Sequence, residues 1–471
     1  MVVVVGGGMA GLAAAYELTR RHIEFTLLEA SDRVGGVVLS EQVEGFTIDA
    51  GPDALLVQKP DGVRLCEELG LGERLIPTKL PRLAYIQRAG RLHPLPAASV
   101  LGIPTRLGPL VRTGLFSVPG KLRMGAEWFV PPRAAGGDES IAHFMARRFG
   151  REAVTYLAEP LLAGIHAGDV DRLSVGALFP RLTEAERQYG SLLRAFRHNA
   201  SSPAATHSTS GGAFRSLPGG LSELVVALCA ALPHGSMRLR SPVARVLAAP
   251  GSGDPLGLEM ASGEHVAARA VIVATPAFVT ARILGELDPG LSSLCGEVPY
   301  ASTATIALAF RRDAVGDPLN GSGFVVPRVE RSGILAGSWL SSKWAHRAPA
   351  DHVLLRTFVG GARDPKALER SDAELVALSL RALGPLLQIT GPPVLSRVYR
   401  WERASAQHEV GHLDRVAAID RALARHAGLF ITGSGFRGVG IPDCVADGRA
   451  TATQVSTWLE QQNAAPAATR R

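Results

Sequence analysis

The chain has 471 residues, enough for two or three domains with large buried cores, and its 46% hydrophobic content excludes general disorder. Its formal charge of +7 comes from 50 basic and 43 acidic side chains spread thinly, without a dense Lys/Arg run, so a nucleic-acid partner is not expected and an anionic substrate is allowed. The four cysteines, Cys66, Cys229, Cys295 and Cys444, form no C-x-x-C pair, which argues against structural zinc and for a reducing compartment. The chain opens on a short apolar strand, Val2 to Val5, that breaks into Gly6-Gly7-Gly8-Met9-Ala10-Gly11. A helical stretch, Leu12 to Leu18, and a second strand, Phe25 to Leu28, follow and end on Glu29. Strand, glycine turn, helix, strand and acid, in that order, predict a dinucleotide-binding unit. Gly6 permits the tight turn, Gly8 lets the backbone approach a pyrophosphate, and Gly11 lets helix and strand pack closely. The helix start offers N–H groups to phosphate, and Glu29 can accept ribose hydroxyls.

A second glycine pair follows in Ala30-Ser31-Asp32-Arg33-Val34-Gly35-Gly36, and then Gly45-Phe46-Thr47-Ile48-Asp49-Ala50-Gly51-Pro52. A nicotinamide site has no need of such a pair so close to the ribose acid. An extended flavin dinucleotide does, because the backbone must run close beside it. Arg33 can meet a phosphate or hold the loop. Residues 85–200 read mostly helical, with an apolar stripe at helical spacing over Ile141 to Phe149. Residues 201–212 read as a flexible loop.

Strand-like material returns at Val243 to Leu247 and at Ala270 to Pro276. Further β-type runs at Thr305 to Phe310 and Val353 to Val359 suit a sheet that covers a substrate. The strand-to-glycine pattern recurs at Gly428 to Gly433, and Gly433-Ser434-Gly435-Phe436-Arg437-Gly438-Val439-Gly440-Ile441-Pro442-Asp443-Cys444 leads to a helix from about Asp447 to Glu460 and a frayed tail. N–H groups at that helix start can stabilise charge on a reduced isoalloxazine. The expected fold is α/β. A discontinuous Rossmann-like flavin domain takes residues 1–56, 213–280 and 400–471, a β-sheet substrate domain takes 57–84 and 281–399, and a helical domain takes 85–200. The first strand leaves no room for a cleaved leader and no apolar run is long enough to span a bilayer, so the expectation is cytoplasmic, peripheral at a membrane at most.

The run from Gly6 to Pro52 resembles the FAD-binding signature of the amine oxidase and protoporphyrinogen oxidase superfamily. Gly51-Pro52-Asp53, Gly164-Ile165-His166-Ala167-Gly168-Asp169 and Gly438 to Cys444 resemble, more narrowly, the oxygen-dependent porphyrinogen oxidases. Gly102-Ile103-Pro104-Thr105, Thr113 to Ser117 and Gly321 to Pro327 are similar to the coproporphyrinogen III oxidase branch, typical of Gram-positive bacteria. The resemblance spans nearly the whole chain. It implies non-covalent FAD, a porphyrinogen substrate aromatised in three two-electron rounds, molecular oxygen as acceptor, and transient contact with other haem-pathway enzymes. No metal and no side-chain catalyst are implied, because the flavin takes the hydride and the protein positions it.

By that resemblance, Gly6, Gly7, Gly8, Met9, Ala10, Gly11, Glu29 and Ala30 meet the pyrophosphate and ribose. Gly36, Ala50, Gly51, Pro52 and Asp53 lie along the flavin, and Arg33 lies in the same loop. Val243 meets the adenine by its backbone, Val439, Gly440 and Ile441 meet the isoalloxazine, and Trp401 is either near the cofactor or an ordinary core aromatic. Lys59 and Arg82 sit where the family keeps propionate-binding bases, or are solvated charges. The Gly164 carbonyl would orient the macrocycle opposite the flavin, and Val325 would wall the pocket. The chain departs from relatives at His166, often tyrosine, at Ser322, often phenylalanine in the protoporphyrinogen branch, and at Gly433-Ser434, where Gly-Asp or Gly-Glu is common. A protoporphyrinogen oxidase is the alternative; a porphyrin carrier or an amine oxidase fits less well.

Overall fold

The computed structural model describes residues 1–464, apart from 97–98, 101, 105–106, 134–135, 201–211 and 249–254. Thr105, nearly all of the expected loop at 201–212 and the tail after Ala464 lie outside the described residues.

Val2–Val5 is buried on both faces, and strand geometry decides how. Val2 and Val4 point into one core and Val3 and Val5 into another. The strand sits at the centre of a five-stranded parallel sheet, in the order Met237–Arg238, Phe25–Leu28, Val2–Val5, Ala270–Val273, Leu429–Ile431. A parallel sheet covered on both sides requires such unbroken apolar runs. Helices Met9–Arg20, Ser222–Ala231 and Ile441–Ala464 cover one face. The first and last of these pack so closely that a Cβ on Gly448 would stand 2.2 Å from the Ala10 carbonyl oxygen. The two chain ends therefore meet. The other face carries the three-stranded sheet of Val243–Ala248, Leu256–Met260 and His265–Ala268, with helices Ala277–Leu284 and Pro289–Gly296.

A seven-stranded sheet lies beyond, in the order Leu395–Ala406, Tyr300–Arg311, His352–Gly360, Ala336–Trp339, Gly323–Val325, Ala84–Arg88, Arg91–Pro94. Every neighbouring pair is antiparallel except Gly323–Val325 with Ala84–Arg88. Helix Asp372–Leu387, started by the Ser371–Glu374 capping box, packs on its core. The helices between residues 107 and 200 gather around Ile141–Phe149, whose Phe144, Met145 and Phe149 are fully buried.

Several elements depart from the sequence reading. Residues 84–94 form a hairpin of the large sheet rather than helix, turning at Ala89 and Gly90, both at positive φ. Residues 400–406 belong to that sheet too, because Leu395–Ala406 pairs along Tyr300–Arg311. The helices over 277–296 and the helix Asp61–Glu68 pack instead on the nucleotide unit. The last helix begins at Ile441, earlier than expected, because Gly440 donates its N–H to Asp443 (3.1 Å) and Pro442 suits a first turn. Among the described residues no helix is long and apolar enough to cross a membrane.

Candidate active site

The glycine turn is shaped by contacts that allow no side chain. A Cβ on Gly11 would lie 1.9 Å from the Gly6 carbonyl oxygen, and Gly6 itself stands at φ 106°. Gly8 differs: a Cβ there would meet no protein atom within 4 Å, and one on Gly36 would meet only the Gly8 Cα, at 3.4 Å. The two glycines flank open space. No side chain caps the helix that starts at Met9, so the N–H groups of Met9, Ala10 and Gly11 face that space at the positive end of the helix dipole. The Glu29 carboxylate accepts the Gly7 N–H at 2.7 Å and the Ser31 N–H and hydroxyl at 2.8 Å each, which leaves acceptor capacity for a ribose hydroxyl. Exposed Ala30 follows it, and the Glu29 carbonyl takes the Ser241 N–H, which brings Val243 to the same side. This cradle fits a dinucleotide.

Arg33 settles between its two readings. Its guanidinium donates to the carbonyls of Val34, Val38 and Gly36, so it holds the loop. The Ala50 to Asp53 segment is held from the large sheet. Arg356 donates to the carbonyls of Asp49 (2.6 Å) and Gly51 (2.8 Å), and the Trp401 indole donates to Ala50 (3.0 Å). Trp401 therefore stands against the Ala50–Asp53 segment. The Asp53 side chain turns away, onto Lys343 (2.7 Å), the Trp344 indole (2.8 Å) and Arg356 (3.1 Å). Burial opposes its charge, yet Lys343 and Arg356 hold its carboxyl well below the usual range. Asp49, buried beside it, lies 2.8 Å from Arg347. None of these four partners was visible in the sequence, since each lies about three hundred residues away.

At the other end, Val439 and Gly440 lead into Ile441 at the last helix start. Asp447 holds the turn before them, accepting Thr432 Oγ1 (2.6 Å) and the Gly433 N–H (3.0 Å), which supplies in space an acid that Gly433-Ser434 lacks in sequence. His408 and His412 stack at 3.8 Å, and their Nε2 atoms reach the carbonyls of Ser434 (2.9 Å) and Phe436 (2.8 Å). Burial holds both imidazoles neutral, His408 down to about 3. Lys59 lies on Asp443 at 2.7 Å and is half exposed. His166, also held down to about 4 by burial, feels both of those charges, so the Gly164–His166 turn stands beside the helix start. The Gly164 carbonyl accepts the Ala167 N–H (3.1 Å) and keeps a second lone pair. Val325 packs on the helical core from the large sheet. Exposed Arg82 donates to the Thr78 carbonyl (3.2 Å).

A glycine cradle, a ribose acid and a helix start closed by both chain ends define a flavin oxidoreductase. Residues 9–456 match the family model described as flavin containing amine oxidoreductase. The coproporphyrinogen III oxidase of Bacillus subtilis (strain 168) is 36% identical over 97% of this chain and 98% of its own length. The enzyme of that name from Propionibacterium freudenreichii subsp. freudenreichii is 32% identical over 96% and 90%. A crystal structure from Exiguobacterium sp. 255-15, provisionally named a protoporphyrinogen oxidase, superposes with a TM-score of 0.85 at 33% identity, covering 98% of this chain and 99% of that one. The chain belongs to the flavin containing amine oxidoreductases and, within them, to the family of the coproporphyrinogen III oxidases.

Proposed function

We propose that the protein oxidises coproporphyrinogen III to coproporphyrin III with molecular oxygen, using non-covalently bound FAD. The observation that carries this reading is the empty-sided Gly8–Gly36 cradle joined to a Gly164 turn beside the last helix start, in a chain 36% identical to a coproporphyrinogen III oxidase. When bound, FAD would supply a two-electron hydride acceptor for each round, with molecular oxygen reduced to hydrogen peroxide. The chain's own part is positional. Gly6 to Gly11 and Glu29 hold the dinucleotide, and the helix start at Gly440 and Ile441 favours negative charge on its ring system. The Gly164 carbonyl accepts pyrrole N–H groups, Val325 closes the wall, and Lys59 and Arg82 serve the propionates. Cys444 is the cysteine of the flavin motif; burial pushes its thiol up to about 12, so it stays protonated and unreactive, in keeping with a non-covalent cofactor.

An apolar stripe on the helical region, Val118, Leu122 and Phe129 (69%, 71% and 83% exposed), has Arg112 and Lys121 nearby and supports a peripheral contact with anionic membrane. Co-sedimentation with anionic vesicles tests that, with Leu122→Asp expected to abolish it. The substrate is tested by comparing initial rates on coproporphyrinogen and protoporphyrinogen. Faster turnover of the first is expected; faster turnover of the second would transfer the protein to the alternative.

A further inference from the structure

Arg363 lies outside the cradle, just beyond strand His352–Gly360. Its guanidinium meets Glu159 at 2.7 Å, Asp171 at 3.1 Å and, closer still, Asp169. Glu159 belongs to the π-helix Val154–Ala163, a wide-wound form that recurs at functional sites, and Asp169 follows the turn Gly164–His166. One side chain thus clasps both ends of the segment that carries Gly164. Between those ends, the His166 carbonyl accepts Ser405 Oγ and Gln407 Nε2 at 2.9 Å each, and the Ala167 carbonyl accepts the Ala362 N–H at 2.7 Å. The short helical turn Arg328–Glu330, three residues beyond Val325, packs against the same π-helix. The Gly164 segment and the chain that follows Val325 therefore both meet the π-helix that Arg363 clasps.

Arg363 is only 21% exposed, and its Nε is buried without a hydrogen-bond partner, an arrangement that general stability does not require. The forked guanidinium reaches two carboxylates at once, which a lysine ammonium on a flexible stem does not reproduce. We propose that Arg363 is a positioning residue for the macrocycle: through Glu159 and Asp169 it fixes the Gly164 carbonyl and the Val325 wall at the separation the ring needs. This rests on the porphyrinogen reading above.

The test compares the wild type, Arg363→Gln, Arg363→Lys, Asp169→Asn and the Gln/Asn double variant as flavin-loaded proteins. It measures the Kd for coproporphyrin III by Soret titration, kcat and KM on coproporphyrinogen, flavin per chain, and thermal midpoint. Arg363→Gln should raise Kd and KM at least ~tenfold with flavin content unchanged, since small misplacements of a bound reactant are costly. Arg363→Lys should recover part of the loss, and the double variant should be no worse than Arg363→Gln, because the two side chains act as one unit. Wild-type Kd and KM in Arg363→Gln, or a loss confined to the thermal midpoint, would overturn the proposal. If Arg363→Gln does not fold, Asp169→Asn decides: a raised product Kd at near-normal thermal midpoint supports the proposal and an unchanged Kd overturns it. A wild type that neither turns over the porphyrinogen nor binds the product would defeat the porphyrinogen reading and the proposal together. An active wild type with unaltered variants would defeat the proposal alone.

Discussion

The glycine cradle and the segments around Gly164 and Ala50 are built by opposite means. The cradle is made of backbone, and its shape follows from side chains that are absent at Gly6, Gly8, Gly11 and Gly36. The Gly164 and Ala50 segments are instead backbone held in place by charge, the first by Arg363 and the second by Arg356. Absence of a side chain is a local requirement, and a substitution there costs either packing or flavin binding. A charge clasp is a long-range requirement whose loss loosens the site before it destroys the fold.

The largest effect should come from the cradle. Gly11→Ala pushes a methyl group into the Gly6 carbonyl and is expected to cost on the order of 3 kcal/mol or more of stability, giving little soluble, flavin-bearing protein. Gly8→Ala separates packing from binding: its methyl meets no protein atom, so the apoprotein should melt as the wild type does while flavin binding weakens. Equal apoprotein stability for the two variants would break the distinction.

The buried charge cluster comes next. Asp53→Asn leaves Lys343 and Arg356 without their carboxylate, and urea unfolding should show a loss of about 3–5 kcal/mol. A loss near zero would mean that the cluster does not hold the flavin segment.

The histidine pair gives a smaller, pH-dependent effect. His408 is held neutral down to about 3 in the folded chain, whereas the unfolded chain takes up its proton near 6.5. The unfolded state therefore binds more protons between those values, and stability falls as pH drops below about 6.5, by at most ~1.4 kcal/mol per pH unit for this group. Thermal midpoints of His408→Phe measured from pH 7 to pH 4.5 should show a shallower fall than the wild type. The same slope in both would assign the acid sensitivity elsewhere.

Lys59→Ala should be the mildest in stability, since its half-exposed pair with Asp443 contributes ~0–1 kcal/mol. If its ammonium also serves a propionate, KM for coproporphyrinogen should rise by the equivalent of ~1.5–3 kcal/mol. An unchanged KM would confine Lys59 to the helix start.

The same contrast explains what could be read in the chain. Gly6 to Gly11, Glu29 and the four-valine strand announce themselves because each requirement lies within thirty residues. Strands at 305–310 and 353–359 were legible from apolar, β-branched runs. The hairpin at 84–94 was not, since its strands are short and the Ala89-Gly90 turn is a weak signal. Arg356 and Arg363 look like solvated charges until folding brings Asp49, Gly51, Glu159 and Asp169 to them. Asp53 was legible as part of a motif, but its partners Lys343, Trp344 and Arg356 were not.

The most direct test is an anaerobic titration of the purified, flavin-loaded protein with coproporphyrinogen III, followed by air. The oxidised-flavin absorbance should bleach as porphyrin appears and return with peroxide on aeration. Protein that remains colourless after incubation with FAD, or flavin that stays oxidised in the presence of coproporphyrinogen, would contradict the account.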